Sequence, residues 1–255
     1  MKINHLLAAS LAFAIVSATQ AMASNNWYVA KTGNDTAAGT QAAPFLTVQH
    51  AINMSSSGDD INVGAGTYEE NLVASGHTLQ FYGAVAPNAP TTELGVSVTA
   101  NTTIFAQGGT VVSTAGSNNI NLTFDNFAFK GGTGTQEPNG KFGGGFWVTG
   151  TCTVDLFNCM IISNSADNGG GMYVDTGSGV GLQQFIIAGC GAPYGSAIDS
   201  YQNGASNVVL NDVAICGNTG ASQQINGPYS AFGKGPHIST ACDKADVNED
   251  GIVDA

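Results

Sequence analysis

The residues best suited to chemistry lie near the C-terminus. In Asp246-x-Asn248-x-Asp250-Gly251-x-Val253-Asp254, oxygen side chains alternate and a glycine sits at the bend. They match positions 1, 3, 5 and 9 of a calcium loop, where alternating oxygens converge on one hard cation. Ca²⁺ is therefore the expected ion. The bidentate acid of position 12 would fall two residues beyond Ala255, which predicts weak binding by these 255 residues. The same segment also reads as a solvated acidic tail. A second candidate set is Asp155, Asp175, Asp199 and Asp212, spread through a glycine-rich middle region. A glycosidase needs two carboxylates about 5–9.5 Å apart, and aspartates on neighbouring turns of a stacked chain would come that close. Solvated turns account for the same residues equally simply, and Asp59-Asp60 reads as a turn.

Other chemistries find little. All six basic residues are lysine, which excludes an arginine-based lyase mechanism; Lys130 and Lys141 are the only lysines of the middle region. There is no Gly-x-Ser-x-Gly elbow and no phosphate loop, and His77 and His237 stand alone. Phe142, Phe146, Trp147, Tyr173 and Tyr194 flank glycine clusters. They suit either a sugar-stacking surface or a packed interior.

Composition sets the frame for these groups. The net charge of -12 argues against nucleic acid and anionic lipid as partners, since both need Lys/Arg to meet phosphate. Charged residues are only 9% while 43% are hydrophobic, which supports a sizeable core rather than disorder. Abundant glycine, 35 residues in all, and scarce Glu, Lys and Arg disfavour helix. The composition suggests an all-β protein with many tight turns. Residues 1–23 read as a signal peptide: Lys2, an apolar run from Leu6 to Val16, then Ala21-Met22-Ala23 before Ser24. The expected location is therefore secreted, extracellular or at the cell surface, with no transmembrane segment after cleavage.

Export permits disulfides. The five cysteines are Cys152, Cys159, Cys190, Cys216 and Cys242, so at least one is free or pairs outside the chain. Cys216 and Cys242 are the expected pair, because the segment after the last repeat must fold back to close that end. Cys159 and Cys190 are expected as buried thiols, although a bridge between neighbouring turns remains open.

Repeats fix the architecture. Gly143-Gly144-Gly145-Phe146-Trp147-Val148 returns as Gly169-Gly170-Gly171-Met172-Tyr173-Val174, a shift of 26. The same shift carries Val154, Leu156 and Met160-Ile161 onto Val180, Leu182 and Ile186-Ile187. A shift of 25 carries Gly170-Gly171-Met172-Tyr173 onto Gly195-Ser196-Ala197-Ile198, and one of 28 carries Leu182 to Leu210 and Ile186-Ile187 to Ala214-Ile215. Phe124-Asp125-Asn126 stands where Leu156-Phe157-Asn158 would stand one unit later. Such periods indicate stacked units, and short apolar runs split by glycine and asparagine exclude helical repeats. The expected unit is a coil of about three short strands, stacked at about 4.8 Å into parallel sheets. Leu156, Leu182 and Leu210 should then share one column. Asn126 and Asn158 fall at matching corners, as either an amide ladder or ordinary turn asparagines. Residues Pro44 to Met54 hold one amphipathic helix, with Phe45, Val48, Ala51 and Ile52 apolar at helical spacing. It is the natural cap for the open end of the first coil.

Residues 27–83 resemble the opening of secreted right-handed parallel β-helix proteins of the pectin-lyase-like superfamily. The matching residues are Trp27-Tyr28-Val29, Gly33-x-Asp35, Pro44-Phe45-x-Thr47-Val48, Ala51-Ile52 and Gly58-Asp59-x-Ile61-x-Val63-x-x-Gly66-Thr67-Tyr68. Residues 158–200, with Asn164-Ser165-Ala166 before Gly169-Gly170-Gly171-Met172-Tyr173, resemble polymorphic outer-membrane-type adhesin repeats. The late cysteine of such adhesin-like proteins agrees with the Cys216–Cys242 pairing. The C-terminal loop resembles the first loop of a dockerin-type repeat. These resemblances imply a right-handed parallel β-helix over 24–241, with 24–83 as N-terminal cap and first coils, then a truncated calcium-loop segment at 242–255. The superfamily includes lyases, hydrolases, epimerases and inert adhesins, so the fold alone does not choose among them. The expected function is a non-enzymatic, adhesin-like or carbohydrate-contacting scaffold whose partner is an extracellular polysaccharide or a cell-surface component. The alternative is a polysaccharide-degrading enzyme using carboxylates in the β-helix groove.

Overall fold

The computed structural model describes residues 24–74, 76–86, 100–200, 207–221 and 223–240, and the short strands 246–247 and 253–254. The protein is mostly β, with parallel sheets and one short helix. The expected signal peptide lies outside the described residues. No helix among the described residues is long and apolar enough to cross a membrane.

The chain returns in turn to three parallel stacks. The first holds Asn26–Val29, Asp60–Val63, Leu79–Gly83, Asn121–Asp125 and Thr153–Phe157, then the leading halves of Gly179–Ala188, Asn207–Cys216 and Ser230–Ser239. The second holds Gly66–Tyr68, Thr102–Phe105, Phe127–Lys130 and Met160–Ile162, then the trailing halves of those three long strands. The third runs from Leu72–Val73 through Val112–Ser113, Phe146–Val148, Met172–Val174 and Ile198–Ser200 to Ile225–Asn226. Alternate residues of each strand point inward. Leu156, Leu182 and Leu210 are in direct register and at most 1% exposed, so they form the expected column. Phe81 stacks on Phe124 with centroids 4.3 Å apart, and Phe127, Phe129 and Phe146 pack edge-on around Phe124.

The corners explain why the units tolerate inserts. Between the first and second stacks a single left-handed residue turns the chain: Asn126, Asn158, Gln184 and Asp212, with φ of 65°, 50°, 50° and 52°. Asparagine and aspartate accept this conformation more readily than other side chains, and glutamine bears its strain. Asn126 and Asn158 thus occupy turns of the same kind. The Asn158 amide donates to Asp125 Oδ1 at 2.9 Å. The asparagines that bridge coils sit at the next corner and bond backbone. Asn164 donates to Phe129 O at 3.0 Å and accepts from Gly132 N at 2.8 Å. Asn218 donates to Ile187 O at 3.0 Å and accepts from Cys190 N at 2.8 Å.

The third stack corrects one repeat alignment. Met172 pairs with Ile198 and Tyr173 with Asp199, a shift of 26 rather than 25. Gly169 and Gly195, both at positive φ, hold equivalent corner positions and set that register. A one-residue slip matters, because it exchanges inward and outward faces.

The helix is Val48–Met54, shorter at its start than the apolar pattern predicts, and it buries Val48, Ala51 and Ile52 on the core. Its first amides are satisfied by two side chains, and a third holds the residues before it. Thr47 Oγ1 accepts from His50 N, and the Glu70 carboxylate accepts from Val48 N and Gln49 N. Asp35 accepts from Leu46 N, Thr47 N and Thr47 Oγ1. Burial alone would raise the Asp35 pKa, but these hydrogen bonds hold it below the ordinary value. Pro44-Phe45 stays extended, with Phe45 stacked on Trp27.

Candidate functional site

The four aspartates lie on different parts of the coil. Asp155 faces outward from the first stack, in register with Thr123 and Gly181. Gly181 leaves room for it, since a Cβ there would meet Asp155 Oδ1 at 2.5 Å. The Asn121 amide donates to its Oδ2 at 3.4 Å, and burial raises its pKa. Asp212 is a corner residue between the first and second stacks.

Asp175 and Asp199 share the outward face of the third stack. Tyr173 is the register partner of Asp199, so Asp175 lies two residues along the neighbouring coil from that partner. Such diagonal neighbours lie about 7–8 Å apart. Asp175 is held in a turn: Oδ1 accepts from Thr176 N at 2.7 Å and Oδ2 from Thr149 Oγ1 at 3.3 Å. Asp199 is 6% exposed, and its Oδ1 accepts from the Asn226 amide at 2.7 Å. Burial outweighs that bond and raises its pKa.

The glycine-flanking aromatics separate into core and face. Phe146 is a core residue with 0% exposure. Trp147 and Tyr173 point away from the core in one register row, followed by Asp199 and Asn226, but Tyr173 is covered and only 8% exposed. Phe142 packs edge-on against Tyr173 at 4.7 Å and walls one side of this row. It comes from the hairpin Thr135–Glu137 and Gly140–Phe142. Tyr194 is 61% exposed. The periodicity had brought Trp147 onto Tyr173, but the 25-residue shift hid Asp199 behind Ile198.

A further aromatic row went unseen in the sequence. On the first stack Tyr28, Asn62 and Tyr82 are consecutive register partners, and Asp125 then links Tyr82 to Phe157. No constant repeat length connects these positions, because the early coils carry inserts of different size.

Asp59 is not a plain turn residue but a buried carboxylate that ties the first coil together. Cys152, Cys159 and Cys190 are free and fully buried. Burial pushes the Cys159 thiol far up and the Cys190 thiol to about 12, so neither is a ready nucleophile. Cys216 is disulfide-bonded, and Cys242 lies outside the described residues. Of the calcium-loop positions, Asp246 and Asp254 are opposite one another in an antiparallel pair. Asn248 and Asp250 lie outside the described residues. No cluster of three or more His, Cys, Asp or Glu side chains fit for a metal occurs among the described residues.

The chain is similar to a crystal structure of a pectin methylesterase from Aspergillus niger, at 14% identity and a TM-score of 0.39, over 85% of this chain and 86% of that one. It is also similar to a rhamnogalacturonan lyase at 13% identity and a TM-score of 0.30, over 87% of this chain and 64% of the other. A lacto-N-biosidase from Eubacterium ramulus follows at 8% identity and a TM-score of 0.25, over 84% and 68%. No curated protein matches the chain. A family model described as "Protein of unknown function (DUF1565)" matches residues 31–234. With most of its length inside that match, the chain belongs to the DUF1565 family.

Proposed function

We propose that the protein is a secreted or cell-surface, adhesin-like scaffold that contacts carbohydrate without transforming it. One observation carries this reading: accessible outward rows interleave aromatic rings with amide and carboxyl groups, as Tyr28, Asn62, Tyr82 and Asp125 do on the first stack and the part-exposed Trp147 and Asn226 do on the third. Sugars present apolar C–H faces rimmed by hydroxyls, and rings beside amides and carboxylates complement both. The stacks continue over residues 24–241 as one right-handed solenoid, with 242–255 as a calcium-binding appendage. The preference of parallel crossover connections for the right hand supports that handedness.

The Asp175 and Asp199 placement favours a second reading, an inverting glycosidase with Asp199 as the acid. The two are diagonal neighbours on adjacent coils, and burial raises the Asp199 pKa as an acid requires. Asp175, however, bonds toward Thr149 on the preceding coil and Asp199 toward Asn226 on the following one, which turns the carboxyl groups apart. Against it, Asp199 is 6% exposed and held by Asn226, so a polymer cannot reach it unless Asn226 moves aside. Binding to a panel of neutral and acidic polysaccharides, with assays for reducing ends and unsaturated products, separates the two. Binding without product is expected. Product release abolished by Asp199→Asn would establish the enzyme instead, and no binding to any glycan would overturn the scaffold reading.

A further inference from the structure

We propose that the outward face of the first stack is a platform for a neutral, extended β-linked polysaccharide lying along the stack axis, with Tyr28, Tyr82 and Phe157 as its stacking rings. This rests on the carbohydrate-contacting reading above and adds to it the glycan class and the face.

The spacing of the rings is the first reason. They occupy alternate strands of one register row, with Asn62 between the first two and Asp125 between the second two. Two strand spacings come to about 10 Å, which is the length of two pyranose units in an extended β-linked chain. Such a chain turns over at each linkage, so rings at this interval meet the same face of every second sugar. The intervening amide and carboxylate then face the rims of the sugars between. Gln183 and Asn211 carry the polar row onward to Phe232. A coiled α-linked chain would lose the register after one ring.

Shape and accessibility agree. Tyr82 is 38% exposed and Phe232 61%, while Tyr28 and Phe157 are half-buried. A depression of about 340 Å³ lies among Tyr28, Asn62 and Tyr82, where Gly64 and Gly83 carry no side chain. A second, of about 440 Å³, opens beside the row where Gly179 and Gly181 stand outward next to Asp155. Gly181 is the residue over which Asp155 lies, and Gly179 beside it leaves the strand backbone uncovered by a side chain of its own.

Charge selects the ligand class. Asp60, Asp125 and Asp155 all face outward here, and no register-paired position of the face from Asn26 to Phe232 carries a base. A uronic acid polymer would be repelled, whereas a neutral glycan supplies hydroxyl donors to these carboxylates. The Tyr82 hydroxyl donates to Gln80 Oε1 at 2.9 Å, which fixes the ring upon the sheet.

Affinity electrophoresis in gels containing hydroxyethylcellulose or polygalacturonate tests this on the intact protein. Hydroxyethylcellulose should retard the protein and polygalacturonate should not. Tyr82→Ala should weaken retardation about three- to tenfold, the share of one stacking ring, and Tyr28→Ala with Tyr82→Ala should abolish it. Tyr82→Phe should keep it, since the ring and not the hydroxyl is the contact. Circular dichroism verifies that each variant is folded. Retardation lost on Trp147→Ala but kept on Tyr82→Ala would overturn the platform and leave the carbohydrate reading standing. Equal retardation by polygalacturonate would overturn the neutral ligand. Failure of every glycan to bind would overturn the carbohydrate reading, and the platform with it.

Discussion

Replacing Asp59 is the sharpest test of how the coil is closed at its N-terminal end. The side chain is 2% exposed, and its carboxylate gathers three close donors from two segments of the chain. Asn25 N donates at 2.8 Å, Trp27 Nε1 at 2.9 Å and Ser56 N at 2.9 Å. Burial alone would raise its pKa, but these bonds outweigh burial and hold it below the ordinary carboxylate value. A hydrogen bond to a charged group contributes about 1.5–3 kcal/mol net. Asn25 and Ser56 are exposed, so water can replace their lost acceptor; the part-buried Trp27 indole bears most of the cost. The terms are not additive within one network, so Asp59→Ala should destabilise by about 2–4 kcal/mol. Asp59→Asn should lose less, because one acceptor oxygen remains.

Urea unfolding at pH 7 measures this, followed by tryptophan fluorescence and by far-ultraviolet circular dichroism. Trp27 lies at the site, so fluorescence moving before circular dichroism would show the cap opening as its own unit. The pH dependence has a definite sign. The folded pKa is depressed, so the stabilisation is present above the unfolded value of about 3.9 and is lost as pH falls through the folded value. The gap between wild type and Asp59→Asn should therefore narrow below about pH 4. A loss under about 0.5 kcal/mol for Asp59→Ala at pH 7, or a gap constant down to acid unfolding, would refute the account.

Two further outcomes concern the C-terminal region. Cys216 should pair with Cys242, and mass spectrometry of non-reduced peptides should find that link with Cys152, Cys159 and Cys190 unmodified; any other partner for Cys216 sinks the pairing. Asp246–Asp254 should bind Ca²⁺ weakly, because the oxygens of Asp246, Asn248, Asp250 and Asp254 make only a partial shell. Calorimetry should show heat that Asp246→Ala removes; no heat at millimolar Ca²⁺ would leave a solvated acidic tail.

What the sequence disclosed follows from where its periodicity is constant. From Phe146 to Ile215 the coils are 26 to 28 residues long, so Leu156, Leu182 and Leu210 announce their column without a structure. The slip at Ile198 arose because matching Gly170-Gly171 to Gly195-Ser196 rewards residue identity, whereas the corner is set by backbone conformation at Gly169 and Gly195. The same cause hid the first corner. Gln184 and Asp212 replace asparagine there, since the position asks for positive φ and not for an amide. Asp59 read as a turn because its defining donors, Asn25 and Trp27, precede it by 34 and 32 residues. Tyr28, Tyr82 and Phe157 stayed hidden for a related reason. A register row exists only once every intervening coil length is known, and the coils between positions 28, 62, 82, 125 and 157 all differ. An insert leaves the inward column intact, because the core demands only that an apolar residue return. It leaves the outward row intact as well, yet nothing in the core obliges aromatic rings to recur there on alternate strands. Their recurrence is therefore better explained by what lies against that face than by the packing beneath it.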